Sequence, residues 1–289
     1  MTFFKTQPEF IDLDPRKDRT THSYAVSPEF LQKRYEAILP ASLIAGRHVV
    51  DVGCALGAAG AWALSNGASG YSGIDIAPDY VTAANSLFEK YYPMGNWSIE
   101  RCSLEEASDF TGADIILCAG AIYAHPNTAA VVSQFSSAKT VIIESMHPST
   151  LVSFGQMLLT DPLYQKRVSA RHELLKSVEQ EYAYIQLNSD MNMVLGRSGG
   201  EIAGYLAAVP SIGALNELFT AYGFSMDLSA YETLKKTLPN TYNFFTPGAT
   251  TSRFCATFHK QSYQAPKPTS FSEAMANRDN VAYRSFKHK

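Results

Sequence analysis

Between His48 and Met146 the chain repeats one unit: a short, uninterrupted apolar run, a turn, and a stretch compatible with a helix. "HVVDVG" precedes "GAAGAWALSNG", which Asn66-Gly67 closes, and "GYSGIDI" leads through Pro78 into "PDYVTAANSLFEKYY". "WSIERCS", "ADIILCAGAIYA", the helix-like "PNTAAVVSQFSS" and "TVIIESM" follow. A strand with one wet face alternates apolar and polar residues; apolar runs without that alternation must be covered on both faces. Strands of this kind separated by helices form a parallel sheet between two helical layers. A doubly wound α/β core is expected.

Other segments frame this core. In "SPEFLQKRYEAILP", Ser27 can cap a helix with Pro28 in its first turn, and Pro40 ends it. Residues 1–27 read as a polar segment draped over the core. From Pro148 to Val209 the rhythm breaks into a helix candidate (Phe154 to Val168), a strand candidate ("EYAYIQL") and the glycine-rich "LGRSGGEIAGY". Roughly sixty residues are too many for a plain connection, so they read as an insertion over the site. The core resumes with a helix capped by Ser211 and ended by Gly223, then the strand candidates "SMDLSAYE" and "SRFCATFH". The expected organisation is an N-terminal cap segment at 1–40, a core at 41–148 and 208–260, an inserted lid at 149–207, and a tail at 261–289.

Composition narrows the class. The chain has 289 residues, a net charge of -3, and a pI of about 6.2. That balance offers no basic field for nucleic acid. No apolar run is long enough to span a membrane, and the N-terminus turns polar too soon for a signal peptide. Cys54, Cys102, Cys118 and Cys255 are scattered, with no metal-site spacing, and read as thiols in a reducing compartment. A cytoplasmic protein with a small-molecule partner, no membrane and no metal is expected. The tail offers a segment that could exchange between two copies in a homodimer.

The stretch "HVVDVGCALGAAG" lies where the first strand meets the next helix. Ligands of doubly wound folds bind at that end of the sheet. Glycines there permit close backbone approach, and the helix amides offer donors. Asp75 lies 22 residues past Gly53, at the end of the second strand, where a carboxylate suits a ribose diol. The order Gly53-x-Ala55-x-Gly57-x-x-Gly60 does not fit the dinucleotide spacing G-x-G-x-x-G. It resembles motif I of the class I S-adenosylmethionine-dependent methyltransferases, (D/E)-x-G-x-G-x-G, with Ala55 in place of the central glycine. The resemblance runs from about Pro28 to Lys260, excepting the insertion.

That resemblance implies a mostly parallel seven-stranded sheet with an inserted lid and an N-terminal helical segment. It implies S-adenosylmethionine as cofactor and S-adenosylhomocysteine as product. The residues it implies around the cofactor are Asp51, Gly53, Cys54, Ala55 and Gly57, then Asp75 and Ile76, then Cys102, Ser103 and Gly120. Asp75 would hold the ribose. Cys102 and Ser103 would meet the adenine, where many members carry Asp. "DIILCAGAIYAH" and "VPSIGALNELFTAYGF" are similar to the tRNA wobble-uridine carboxymethyltransferase branch, with one extra residue, Ala124, between Tyr123 and His125.

Methyl transfer from a sulfonium is an in-line displacement governed mainly by positioning. A base is needed only where the acceptor must lose a proton. Candidates at strand ends are His147, His125, Tyr123 and Glu144, with His147 first because a neutral imidazole suits proton removal near neutral pH. His125 and His147 are equally readable as hydrogen-bonded loop histidines. Glu144 is equally readable as a structural acceptor for backbone amides. Tyr182 and Tyr184, two apart on a strand, could wall the substrate but are more often packing residues. Arg197 would suit an anionic substrate group but reads first as a surface charge. The expected function is O- or N-methylation of a small molecule. The alternatives are aminocarboxypropyl transfer releasing methylthioadenosine, a tRNA-modifying methyltransferase, and, less favoured, a non-catalytic binding module.

Overall fold

The computed structural model describes residues 2–13, 27–104, 106–107, 110–125, 127–146, 182–187, 205–238 and 253–261, with backbone alone for 124, 182–187 and 205–208. The expected helix at 154–168, the tail beyond 261, His147 and Arg197 lie outside those residues. The first half of the core is β1 (His48–Val52), α5 (Ala58–Ser65), β2 (Gly70–Asp75), α6 (Pro78–Tyr91) and β3 (Trp97–Arg101). It continues with β4 (Ile115–Ala119), a 3-10 turn (Ile122–Ala124), α7 (Thr128–Phe135) and β5 (Thr140–Met146). The last core elements are α8 (Ile212–Ala221), β8 (Phe224–Asp227), α9 (Ser229–Thr237) and β9 (Arg253–Lys260).

The seven core strands form one sheet in the order β3-β2-β1-β4-β5-β9-β8. β9 runs antiparallel to both its neighbours, while the β1, β2, β3, β4 and β5 pairings are parallel. The chain order reverses between β1 and β4, and the loops that follow them open the crevice where such sheets bind ligands.

Local chemistry explains the elements. Ser27 and Ser211 accept the Phe30 and Ala214 amides and so start α3 (Pro28–Ile38) and α8. Asn127 does the same for α7 through the Ala130 amide. In α5 the run Ala59 to Ala63 is buried, because the helix lies between the sheet and the N-terminal segment. Gly60 is required by that packing: a Cβ there would stand 2.3 Å from the Tyr71 ring. A Cβ on Gly57 would stand 2.6 Å from the Phe88 ring. The groups that approach these two glycines are the protein's own aromatic core.

Three features differ from the sequence expectation. The N-terminal segment does not simply drape. Its short helices α1 (Phe3–Thr6) and α2 (Glu9–Asp12) bury Phe4, Phe10 and Ile11, with Phe10 edge-on to Phe88. Glu9 accepts from Lys90 and Tyr91 of α6 and fixes the segment there. "SMDLSAYE" is only half strand: β8 stops at Asp227, whose carboxylate accepts the Ser229 amide and starts α9. The insertion contains a hairpin, β6 (Tyr182–Leu187) antiparallel to β7 (Tyr205–Pro210), and β7 runs through the expected lid boundary at 207–208. β7 lies against the 3-10 turn and β5, then leads directly into the Ser211 cap of α8.

Candidate active site

The glycine turn is built by a crossing of β1 and β2. The Gly53 and Cys54 amides both donate to the Ile74 carbonyl, at 2.9 and 3.0 Å. Ala55 follows with φ 48°, and among the described residues it is the only non-glycine with positive φ. Its amide donates to Asp75 Oδ2 at 2.9 Å, and Asp75 Oδ1 accepts the Ala77 amide at 2.9 Å. One carboxylate therefore ties the turn after β1 to the turn after β2. Gly57, also left-handed, opens α5. A Cβ on Gly53 would stand 3.0 Å from the Ala121 side chain, so the β4 loop closes on this turn. Ile76, next to Asp75, is 60% exposed, a large apolar side chain held in solvent at the ligand edge of the sheet.

Behind the turn lies Asp51, only 4% exposed, accepting from the Tyr71 hydroxyl at 3.0 Å. Burial pushes its carboxyl up to about 7; the Tyr71 bond and the Arg34 charge oppose that, and Asp75 adds to it. Cys54 is buried beside it, and desolvation pushes its thiol well above the ordinary range. At the end of β3 the Cys102 amide donates to the Asp75 carbonyl at 3.1 Å. Ser103 also caps the turn that follows β3. Its amide donates to Glu106 Oε2 at 3.0 Å and its hydroxyl accepts the Glu106 amide at 3.2 Å, a reciprocal cap.

The β4 and β5 ends carry the expected catalytic candidates. Gly120, at φ 93°, donates its amide to the Glu144 carbonyl at 2.9 Å. Glu144 is fully buried between two guanidiniums, Arg34 Nε at 2.7 Å and Arg253 Nη1 at 3.3 Å. A carboxylate held this way serves as a structural anion. The partners expected of it as a structural acceptor were backbone amides; they are arginines. Arg253 Nη2 donates to the Tyr123 hydroxyl at 3.1 Å, and its guanidinium lies 5.5 Å from that ring. His125 follows the 3-10 turn, with Nδ1 accepting the Asn127 amide at 3.0 Å. Tyr182 and Tyr184 occupy β6 opposite Pro210 and Ala208.

Sequence reading missed both arginines. Arg34 carried a signal: it falls among Leu31, Tyr35 and Ile38, all buried, so a charge interrupts the apolar stripe of α3. Arg253 begins β9 and carried none. Among the described residues no cluster of His, Cys, Asp or Glu could hold a metal ion, and no helix is long and apolar enough to cross a membrane.

The architecture, with a single reversed strand inside its carboxyl-terminal half, is the fold of the class I S-adenosylmethionine-dependent methyltransferases. An S-adenosylmethionine-dependent methyltransferase from Mesorhizobium loti superposes with a TM-score of 0.51 at 12% identity, covering 84% of this chain and 99% of that one. A Listeria monocytogenes protein assigned to the same class superposes with a TM-score of 0.54 at 15% identity, covering 80% of this chain and 98% of that one. No protein-family model matches the sequence, and no curated protein matches it.

Proposed function

We propose that the protein is an S-adenosylmethionine-dependent methyltransferase acting on an oxygen or nitrogen of a small molecule. The observation that carries this reading is the joint made by Asp75 and Ala55 at the ligand edge of a sheet of this type. The residues there suit the cofactor. A carboxylate has about four acceptor positions, so Asp75 keeps two for ribose hydroxyls after binding the Ala55 and Ala77 amides. Ile76 presents apolar surface suited to a purine. The left-handed turn at Gly53, Ala55 and Gly57 suits the methionine portion. When bound, S-adenosylmethionine supplies a methyl group on a cationic sulfur.

This chain's own contribution is position and exclusion. Asp75 fixes the turn after β1, and Ala121 backs it from the β4 side. β7 rests on the 3-10 turn that carries Tyr123, beyond β4. The net charge of -3 favours a small molecule over an RNA. Where the acceptor must lose a proton, His147, His125 and Tyr123 remain the proposed bases, and Glu144 is set aside.

The test is product analysis by mass spectrometry after incubation with S-adenosylmethionine and a fractionated small-metabolite extract. S-adenosylhomocysteine with a methylated acceptor is expected. Methylthioadenosine without S-adenosylhomocysteine would replace methyl transfer by aminocarboxypropyl transfer.

A further inference from the structure

Among the described residues Asp51 and Glu144 are the buried carboxyls, and their partners differ. Glu144 lies between two guanidiniums. Asp51, 4% exposed, has the Tyr71 hydroxyl at 3.0 Å and, among those residues, no cation within ion-pair distance. Arg34 acts on it through its field, while its Nε is bonded to Glu144 at 2.7 Å. A carboxyl buried in this way takes either a proton or a cation brought to it.

The groups that face Asp51 leave it short of positive charge. Gly73 is its register partner on β2, and a Cβ there would stand 2.9 Å from both Cys54 Sγ and Tyr71 Oη. Thiol and hydroxyl therefore meet beside the carboxyl. Asp75, at the end of β2, adds a second negative charge. Cys118 of β4 lies within reach of the same field, and α5 carries no charged residue. Against these stands Arg34 of α3. Burial outweighs it and pushes the Asp51 carboxyl up to about 7.

Asp51 also stands where a ligand's charge would arrive. It lies two residues before Gly53, at the head of the left-handed turn that suits the methionine portion. S-adenosylmethionine carries an ammonium, a carboxylate and a sulfonium, and so is a net cation. S-adenosylhomocysteine lacks the sulfonium and is neutral overall. A net positive charge beside the turn favours the ionised carboxylate, and a neutral ligand gives far less of that return.

Building on the methyltransferase reading above, we propose that Asp51 distinguishes cofactor from product by charge, giving up its proton to solvent when cationic S-adenosylmethionine binds and keeping it when neutral S-adenosylhomocysteine binds. Binding that expels a proton strengthens as pH rises, so the preference for the methylated cofactor grows from pH 6 to pH 8.

The experiment is calorimetry on the full chain with each ligand at pH 7, in phosphate and in imidazole, whose different ionisation enthalpies report the protons released on binding. Asp51→Asn keeps an acceptor for Tyr71 and measures the release that comes from the ligand's own amine and the rest of the chain. Per S-adenosylmethionine bound, wild type is expected to release about half a proton more than Asp51→Asn, with no such excess for S-adenosylhomocysteine. Between pH 6 and pH 8 the affinity ratio of the two ligands should rise about three- to tenfold more in wild type than in the variant. Should Asp51→Asn fail to fold, Tyr71→Phe removes the hydroxyl that favours the carboxylate and should displace that rise to higher pH. Equal proton release by wild type and Asp51→Asn overturns the proposal, as does a rise that Tyr71→Phe leaves in place. Equal excess release with both ligands also overturns it, because the exchange would then answer a charge they share. Binding of neither ligand brings down the methyltransferase reading and this assignment together, whereas binding without the proton excess brings down this assignment alone.

Discussion

Asp75 holds Ala55 in a conformation that alanine avoids: its Oδ2 accepts the Ala55 amide at 2.9 Å while that residue sits at φ 48°. The joint explains how the turn keeps a left-handed residue at this position without a glycine. A left-handed alanine costs about 1 kcal/mol or somewhat more, the order of one charge-assisted hydrogen bond.

The first expectation follows from that strain. Ala55→Gly removes the steric cost and adds about 0.5–1 kcal/mol of chain entropy to be lost on folding, so stability should be unchanged or raised by up to about 1 kcal/mol. Ala83→Gly, within α6, should instead lose about 1 kcal/mol. Urea unfolding of both variants checks this; equal losses would show that Ala55 is not strained.

Glu144 provides the second. Removing its charge leaves Arg34 and Arg253 without their shared buried carboxylate, so Glu144→Gln should destabilise the fold by about 3 kcal/mol. Denaturant midpoints measure the loss. A variant as stable as wild type but inactive would return Glu144 to the candidate bases.

Asp51 sets a pH dependence. Burial holds its carboxyl at about 7 against the ordinary 3.8, so the folded chain keeps a proton that the unfolded chain releases. That advantage is complete below about pH 4 and is lost as pH rises towards 7, with no further change from this group above it. Asp51→Asn keeps an acceptor for Tyr71 and removes the titration. Between pH 5 and pH 8 the stability of wild type should fall relative to this variant by an amount on the order of 2 kcal/mol. Parallel curves for the two proteins would mean that Asp51 titrates normally.

Much of this fold was legible because its signals are local. The apolar strand runs, the Ser27 and Ser211 caps and the Asn66-Gly67 stop all act within a few residues, and each element stands where they indicate. What stayed hidden depends on distance along the chain. Glu144 finds Arg34 across 110 positions and Arg253 across 109, and no periodicity encodes either pairing. The burial of Phe4 and Phe10 within a polar segment is equally long-range, set by Trp62 and Phe88. Glycine was half readable: Gly60 advertises a close approach, but only the fold shows that the approaching group is Tyr71. The start of α9 was masked by "SMDLSAYE", whose alternation continues past the Asp227 turn.

The most direct measurement is calorimetric titration of S-adenosylhomocysteine into wild type and Asp75→Asn. An amide side chain can accept through one oxygen only, so it cannot serve the Ala55 and Ala77 amides and a ribose together. Saturable binding is expected in wild type, weakened at least about tenfold in the variant. No binding by wild type, or equal affinity in the two proteins, would contradict a cofactor site built on Asp75.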